Sequence, residues 1–151
     1  MSRKLNVIFV CWGNSCRSQM AEGWARPDTL NPFSAGIEPK PHVDPLAVRV
    51  MKEAGVDIAY QETHRVSAFL THDIDAAILV CDEAADACPT FPPQVKTIRR
   101  TFDDPPRLAE GGGEEARLAV YRRVRDEIRA YVAQLPELLG CADPAGPCAT
   151  A

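Results

Sequence analysis

Cys11 and Arg17 close a seven-residue segment, Cys11-Trp-Gly-Asn-Ser-Cys-Arg17, whose residue types suit one kind of chemistry. A cysteine thiolate is a strong nucleophile. An arginine guanidinium is a planar fork whose donors match the oxygens of a tetrahedral oxyanion. Between them, Gly13 permits backbone torsions that other residues resist, and Asn14 tolerates a left-handed conformation better than most. Ser18, one residue further on, is close enough in sequence to donate a hydrogen bond to the sulfur. We therefore read Trp12, Gly13, Asn14, Ser15, Cys16, Arg17 and Ser18 as an oxyanion-binding loop, with Cys11 as its nucleophile.

The flanking sequence gives this pattern its specificity. Residues 5–10 form an apolar run with β-branched members, the mark of a buried parallel strand. Ser18-Gln-Met-Ala-Glu-Gly-Trp-Ala-Arg26 reads as a helix stopped by Pro27. A loop that leaves a strand and enters a helix aims backbone N–H groups and the positive end of the helix dipole at one point. In open α/β sheets that point lies at the carboxyl ends of the strands, where ligands bind. The same field favours the thiolate form of a cysteine held there.

The rest of the chain supplies the frame. Residues 33–37 and 75–80 read as further strands, and residues 95–98 as a fourth. Asp44 is the expected N-cap of a helix with Pro45 in its first position and Gly55 at its end. From Glu114 onward, Leu118, Tyr121, Val124, Ile128, Tyr131, Val132, Leu135 and Leu139 recur at three and four residues, one apolar stripe of a core-packing helix. Strands alternating with helices predict an α/β fold, a short, about four-stranded parallel sheet flanked by helices on both faces. Gly111-Gly112-Gly113 reads as a flexible loop, residues 1–139 as a single domain, and residues 140–151 as a flexible tail.

Composition narrows the function classes. The chain has 151 residues, 46% hydrophobic and 25% charged, with net charge −4. An acidic balance argues against a nucleic-acid or membrane-surface binder, so an anionic substrate needs a local cationic site. The apolar run at the start is too short for a signal peptide or a span, which predicts a cytoplasmic protein. Six cysteines in a reducing compartment point to thiol or metal chemistry rather than a disulfide framework. Cys81 follows a predicted strand and so lies beside the loop, with Cys88 seven residues later. In Asp103-Asp104-Pro105, the proline holds Asp104 extended, in a loop able to project a carboxyl group.

Cys11-Trp-Gly-Asn-Ser-Cys-Arg-Ser-Gln-Met-Ala-Glu22 resembles the start of thioredoxin-coupled arsenate reductases, which share the low-molecular-weight tyrosine phosphatase fold. The resemblance continues through Ser34-Ala-Gly-Ile-Glu38, residues 81–93, Phe102-Asp-Asp-Pro105 and Arg123-Val-Arg-Asp-Glu-Ile128. It implies arsenate as substrate, Cys11 as nucleophile, Arg17 as oxyanion ligand and Asp104, immediately before the proline, as general acid. It also implies a relay: Cys81 attacks Cys11 as arsenite leaves, Cys88 then attacks Cys81, and thioredoxin reduces the resulting Cys81–Cys88 bond. On a straight helix these two Cα atoms would be separated by roughly 10 Å, whereas a disulfide needs them within about 7 Å. The segment between them must unwind for the pair to close. No cofactor is implied, and a monomer is expected.

Some members of that family bind potassium through the equivalents of Asn14, Glu22 and Ser34 with an aspartate. Here His64 stands at the aspartate's position, a poor ligand for a hard cation, so no metal is expected. Cys16 is read as a packed thiol, and Cys141 and Cys148 as free thiols of the tail. The alternative enzyme is a low-molecular-weight protein tyrosine phosphatase using Cys11, Arg17 and Asp104 alone. Against it, Pro106 stands where such phosphatases usually present an aromatic ring. A non-enzymatic alternative, a metal- or arsenite-binding module, has six cysteines in its favour but no Cys-x2-Cys pair.

Overall fold

The computed structural model describes residues 4–25 and 30–140. Four strands, β1 (Leu5–Cys11), β2 (Leu30–Gly36), β3 (Ala76–Leu79) and β4 (Lys96–Arg99), alternate with helices α1 (Arg17–Ala25), α2 (Pro45–Glu53), α3 (Asp82–Ala87), α4 (Pro105–Leu108) and α5 (Glu114–Leu138). A short 3-10 helix spans Val66–Phe69. The strands form one parallel sheet in the order β2-β1-β3-β4. β1 is central, and Val7, Ile8, Phe9 and Val10 are fully buried, as its uninterrupted apolar run requires of a strand covered on both faces.

The connections β1–α1–β2 and β3–α3–β4 step in opposite directions across the sheet. Right-handed crossovers therefore put α1 and α3 on opposite faces. α1 packs on β1, β2 and α5, while α3 packs on β1 and β3. The predicted α/β architecture is the observed one.

Local chemistry explains most boundaries. Asp44 accepts the Leu46 N–H at 2.9 Å, Pro45 opens α2, and Gly55 beyond its end takes φ +90°. The α5 stripe is buried at Leu118, Tyr121, Val124, Ile128, Val132 and Leu135. β2 begins at Leu30, three residues before the expected Phe33, because Pro32 is accommodated on an edge strand opposite Val7. β3 and β4 also differ from expectation by a residue at their ends.

Asp104 is extended, as expected of the residue before a proline, and Pro105 and Pro106 then open one helical turn, α4. Pro27, the expected stop of α1, and the tail with Cys141 and Cys148 lie outside the described residues. Among the described residues no helix is long and apolar enough to cross a membrane.

Candidate active site

The loop between β1 and α1 is fixed by buried hydrogen bonds. Asn14 takes the left-handed conformation, φ +50°, and is fully buried. Its side-chain amide donates to Ser18 Oγ at 2.8 Å, and its Oδ1 accepts the His64 N–H at 2.7 Å. Gln19 Nε2 donates to the carbonyls of Asn14 and Glu62, both at 2.9 Å, and Gln61 braces Gln19 from behind at 2.7 Å. The expectation for Gly13 needs correction. Its φ is not in the left-handed region, which Asn14 occupies alone in this loop. What Gly13 provides is space: a Cβ there would meet the Lys40 side chain at 3.2 Å.

Ser18 accepts from Asn14, so its own hydroxyl hydrogen is free to point at Cys11, whose Sγ lies 2.9 Å away. The chain Asn14 to Ser18 to Cys11 thus delivers a hydrogen bond to a buried sulfur. The expected Ser18–Cys11 contact is present.

Cys11, Trp12, Gly13, Ser15, Cys16, Arg17, Lys40, Asp104 and Pro106 line a pocket of about 80 Å³. That space suits a small ion, since a water molecule's share of the liquid is about 30 Å³. Arg17 is 7% exposed. One guanidinium nitrogen donates to the Phe102 carbonyl at 3.0 Å, and another lies 3.6 Å from Asp104 Oδ1. The anchor holds the fork in place at the pocket wall.

Asp104 is the N-cap residue of α4, yet its side chain makes no capping bond. Asp103 points elsewhere, to Arg123 at 3.0 Å on the surface. The two neighbouring carboxylates therefore separate, with Asp104 in the pocket and Asp103 outside it.

The cysteine pair is built on the neighbouring strand. Register pairs Val10 with Leu79, so Cys11 and Cys81 both leave the carboxyl end of adjacent strands, which run about 4.8 Å apart. Cys81 is fully buried, and its Sγ caps α3 by accepting the Ala84 N–H at 3.3 Å. Burial pushes the Cys81 thiol up to about 11, against the opposing pull of that N–H and of Arg17. Cys88 is half-buried at the other end of α3, and burial raises its thiol too. Cys16 is raised well above the usual thiol range by burial, then by Asp44, which fits a packed neutral thiol.

All four described cysteines are free. With α3 in place, Cys81 and Cys88 are held too far apart to bond.

Glu22 accepts from Ser34 at 2.6 Å, and the Asn14 side-chain oxygen is taken by His64 N–H. The His64 ring is exposed and sits edge-on to Phe69. Among the described residues no group of three or more His, Cys, Asp or Glu side chains is placed to hold a metal ion.

Sequence reasoning missed Lys40, which bears no motif beyond its flanking prolines. It also passed over the Gln19–Gln61 brace and the reason for Gly36. A Cβ on Gly36 would lie 2.6 Å from the Trp12 carbonyl and 2.8 Å from the Asn14 nitrogen, so only glycine lets β2 approach the loop.

Known proteins are similar to this chain in sequence and fold. The sequence pattern of the low molecular weight phosphotyrosine protein phosphatases matches residues 6–142. An arsenate reductase of Bacillus licheniformis is 46% identical over 140 residues, covering 91% of this chain and 98% of the relative. An arsenate reductase of Bacillus subtilis (strain 168) is 46% identical over 125 residues, covering 81% and 88%. A solved structure described as an arsenate reductase in the phosphate binding state superposes with a TM-score of 0.69 at 31% identity, covering 89% of this chain and 98% of that one. Matches of this length and identity mean that the chain belongs to the low molecular weight phosphotyrosine protein phosphatase family, within its arsenate reductase branch.

Proposed function

We propose that the protein reduces arsenate to arsenite through a three-cysteine relay recharged by thioredoxin. One observation carries this reading. The pocket's nucleophile, Cys11, has a second buried thiol, Cys81, at the end of the adjacent strand, and a third, Cys88, one short helix away. A phosphatase needs only the first.

In the first step the Cys11 thiolate attacks arsenic held by the loop N–H groups and Arg17. An arsenate oxygen departs as water with a proton from Asp104, leaving a sulfur–arsenic(V) bond. In the second, the Cys81 thiolate attacks Cys11 sulfur. The sulfur–arsenic electron pair stays with arsenic, which leaves as arsenite, and two thiols become one disulfide, a two-electron change.

Forming the Cys11–Cys81 bond removes the sulfur that caps α3. A helix of six residues has little stability of its own. Loss of the cap therefore favours unwinding as Cys88 must move. Cys88 then displaces Cys11 from Cys81, and a thioredoxin dithiol reduces Cys81–Cys88.

Reduced thiols and a thioredoxin supply suit a reducing, cytoplasmic setting. The relay draws only on residues within 1–139, so the tail takes no part in it. The deciding assay supplies thioredoxin, thioredoxin reductase and NADPH and follows NADPH oxidation. Oxidation that depends on both arsenate and thioredoxin is expected. Hydrolysis of p-nitrophenyl phosphate without arsenate-dependent oxidation would instead make the protein a phosphatase.

A further inference from the structure

We propose that Lys40 is the second cation of the oxyanion pocket, contacting the bound oxyanion directly and setting how tightly a doubly charged one is held. Three backbone bonds fasten its segment to the loop. Ile37 N–H donates to the Cys11 carbonyl at 3.3 Å, Glu38 N–H to Trp12 at 2.9 Å, and Lys40 N–H to Gly13 at 2.8 Å. Pro39 and Pro41 limit the backbone on either side. The methylene stem lies over Gly13, with Cγ, Cε and Cδ between 3.2 and 3.4 Å of where a Cβ would sit. The residue lines the pocket together with Cys11, Arg17 and Asp104. Among the described residues no carboxylate forms an ion pair with its ammonium group.

Charge accounting in the pocket calls for such a group. Arg17 contributes one positive charge, and Asp104, 3.6 Å from it, holds the proton that the proposed first step delivers and so supplies no further one. The proposed first step uses Cys11 as a thiolate, which adds a negative charge, and the chain as a whole carries −4. A dianion entering this site meets a balance that is already unfavourable without Lys40. Lys40 is exposed, so solvent screens it and its effect is on affinity and selectivity rather than on the chemical step. Its ammonium is a compact charge on a flexible stem, suited to an oxygen of the bound ion rather than to a fixed fork.

This inference rests on reading the pocket as an oxyanion site, and the test separates the two. Inorganic phosphate is titrated as a protectant of Cys11 against iodoacetamide in the wild type, Lys40→Met and Lys40→Arg, with KM and kcat for arsenate measured alongside. Methionine keeps an unbranched stem over Gly13 and removes the charge. Lys40→Met is expected to raise both the phosphate concentration for half protection and KM roughly tenfold, the lower end of what a hydrogen bond to a charged group contributes. kcat should stay within about threefold, as for lost binding that is uniform between ground and transition states. Lys40→Arg should recover most of the affinity. Phosphate protection of Lys40→Met within about twofold of wild type overturns the proposal. So does Lys40→Arg binding phosphate no better than Lys40→Met, since that makes stem packing the cause. Wild-type Cys11 left unprotected by phosphate overturns the oxyanion reading itself, and Lys40's role with it.

Discussion

The segments after β1 and after β3 begin alike and are held in opposite ways. Each leaves the carboxyl end of a central strand with a buried cysteine. After Cys11, the chain is pinned by Asn14, Ser18 and Gln19, all fully buried and hydrogen-bonded to one another or to neighbouring strands and loops. After Cys81 comes a six-residue helix with Ala84 as its buried residue, a thiol as its cap and exposed ion pairs from Arg99 to Asp82 and Asp86. Exposed pairs of this kind contribute little. In the proposed relay the first segment holds donors in place around an oxyanion, and the second comes apart for Cys88 to reach Cys81. Tethering follows the task.

The largest effect expected is on Cys11 itself. Cys11→Ser should lower arsenate reduction by at least about 10⁴-fold, as for loss of other enzymes' nucleophiles. Steady-state turnover with thioredoxin measures this, and appreciable residual activity would remove Cys11 from its role.

The next test weighs the two tethers directly. Asn14→Ala loses two side-chain hydrogen bonds and puts a poorer residue at φ +50°, and should cost about 2–4 kcal/mol of folding stability. Ala84→Gly in α3 should cost about 1 kcal/mol and leave phosphate binding unchanged. Denaturant unfolding of both variants compares them, and equal losses would erase the contrast.

How far the sequence reveals this contrast differs by region. The Cys11–Arg17 loop is readable because strand, loop and helix start are each marked by local residue types. The α2 boundaries are equally readable, in Asp44, Pro45 and Gly55. The start of β2 is not, since Pro32 argues against a strand until its edge position is known. Lys40 is invisible for a similar reason: its place over Gly13 comes from backbone bonds between segments distant in sequence. The state of α3 is undetermined by spacing, which shows only that a helix and a Cys81–Cys88 bond exclude each other.

A smaller effect, tied to the second segment, is on pH. The Cys81 thiol is pushed up to about 11, so near neutrality it is protonated and its thiolate fraction grows as pH rises towards that value. Arsenite release in a single turnover should therefore quicken by up to about tenfold per unit between roughly pH 7 and 9. Rapid-quench arsenite measurement gives the profile. A flat profile would mean that ionisation of Cys81 does not limit the step.

The smallest effect expected is from the tail. A chain ending at Leu139 should fold and turn over with thioredoxin at a rate within about twofold of the full chain. A severe loss with folding intact would bring Cys141 and Cys148 into the relay.

The most direct measurement is a single turnover of Cys88→Ala with one equivalent of arsenate, followed by alkylation and peptide mapping. The relay predicts one equivalent of arsenite and a trapped Cys11–Cys81 disulfide, with Cys16 still a free thiol. Arsenite release with Cys81 unmodified, or a disulfide joining Cys11 to Cys16 instead, would contradict it.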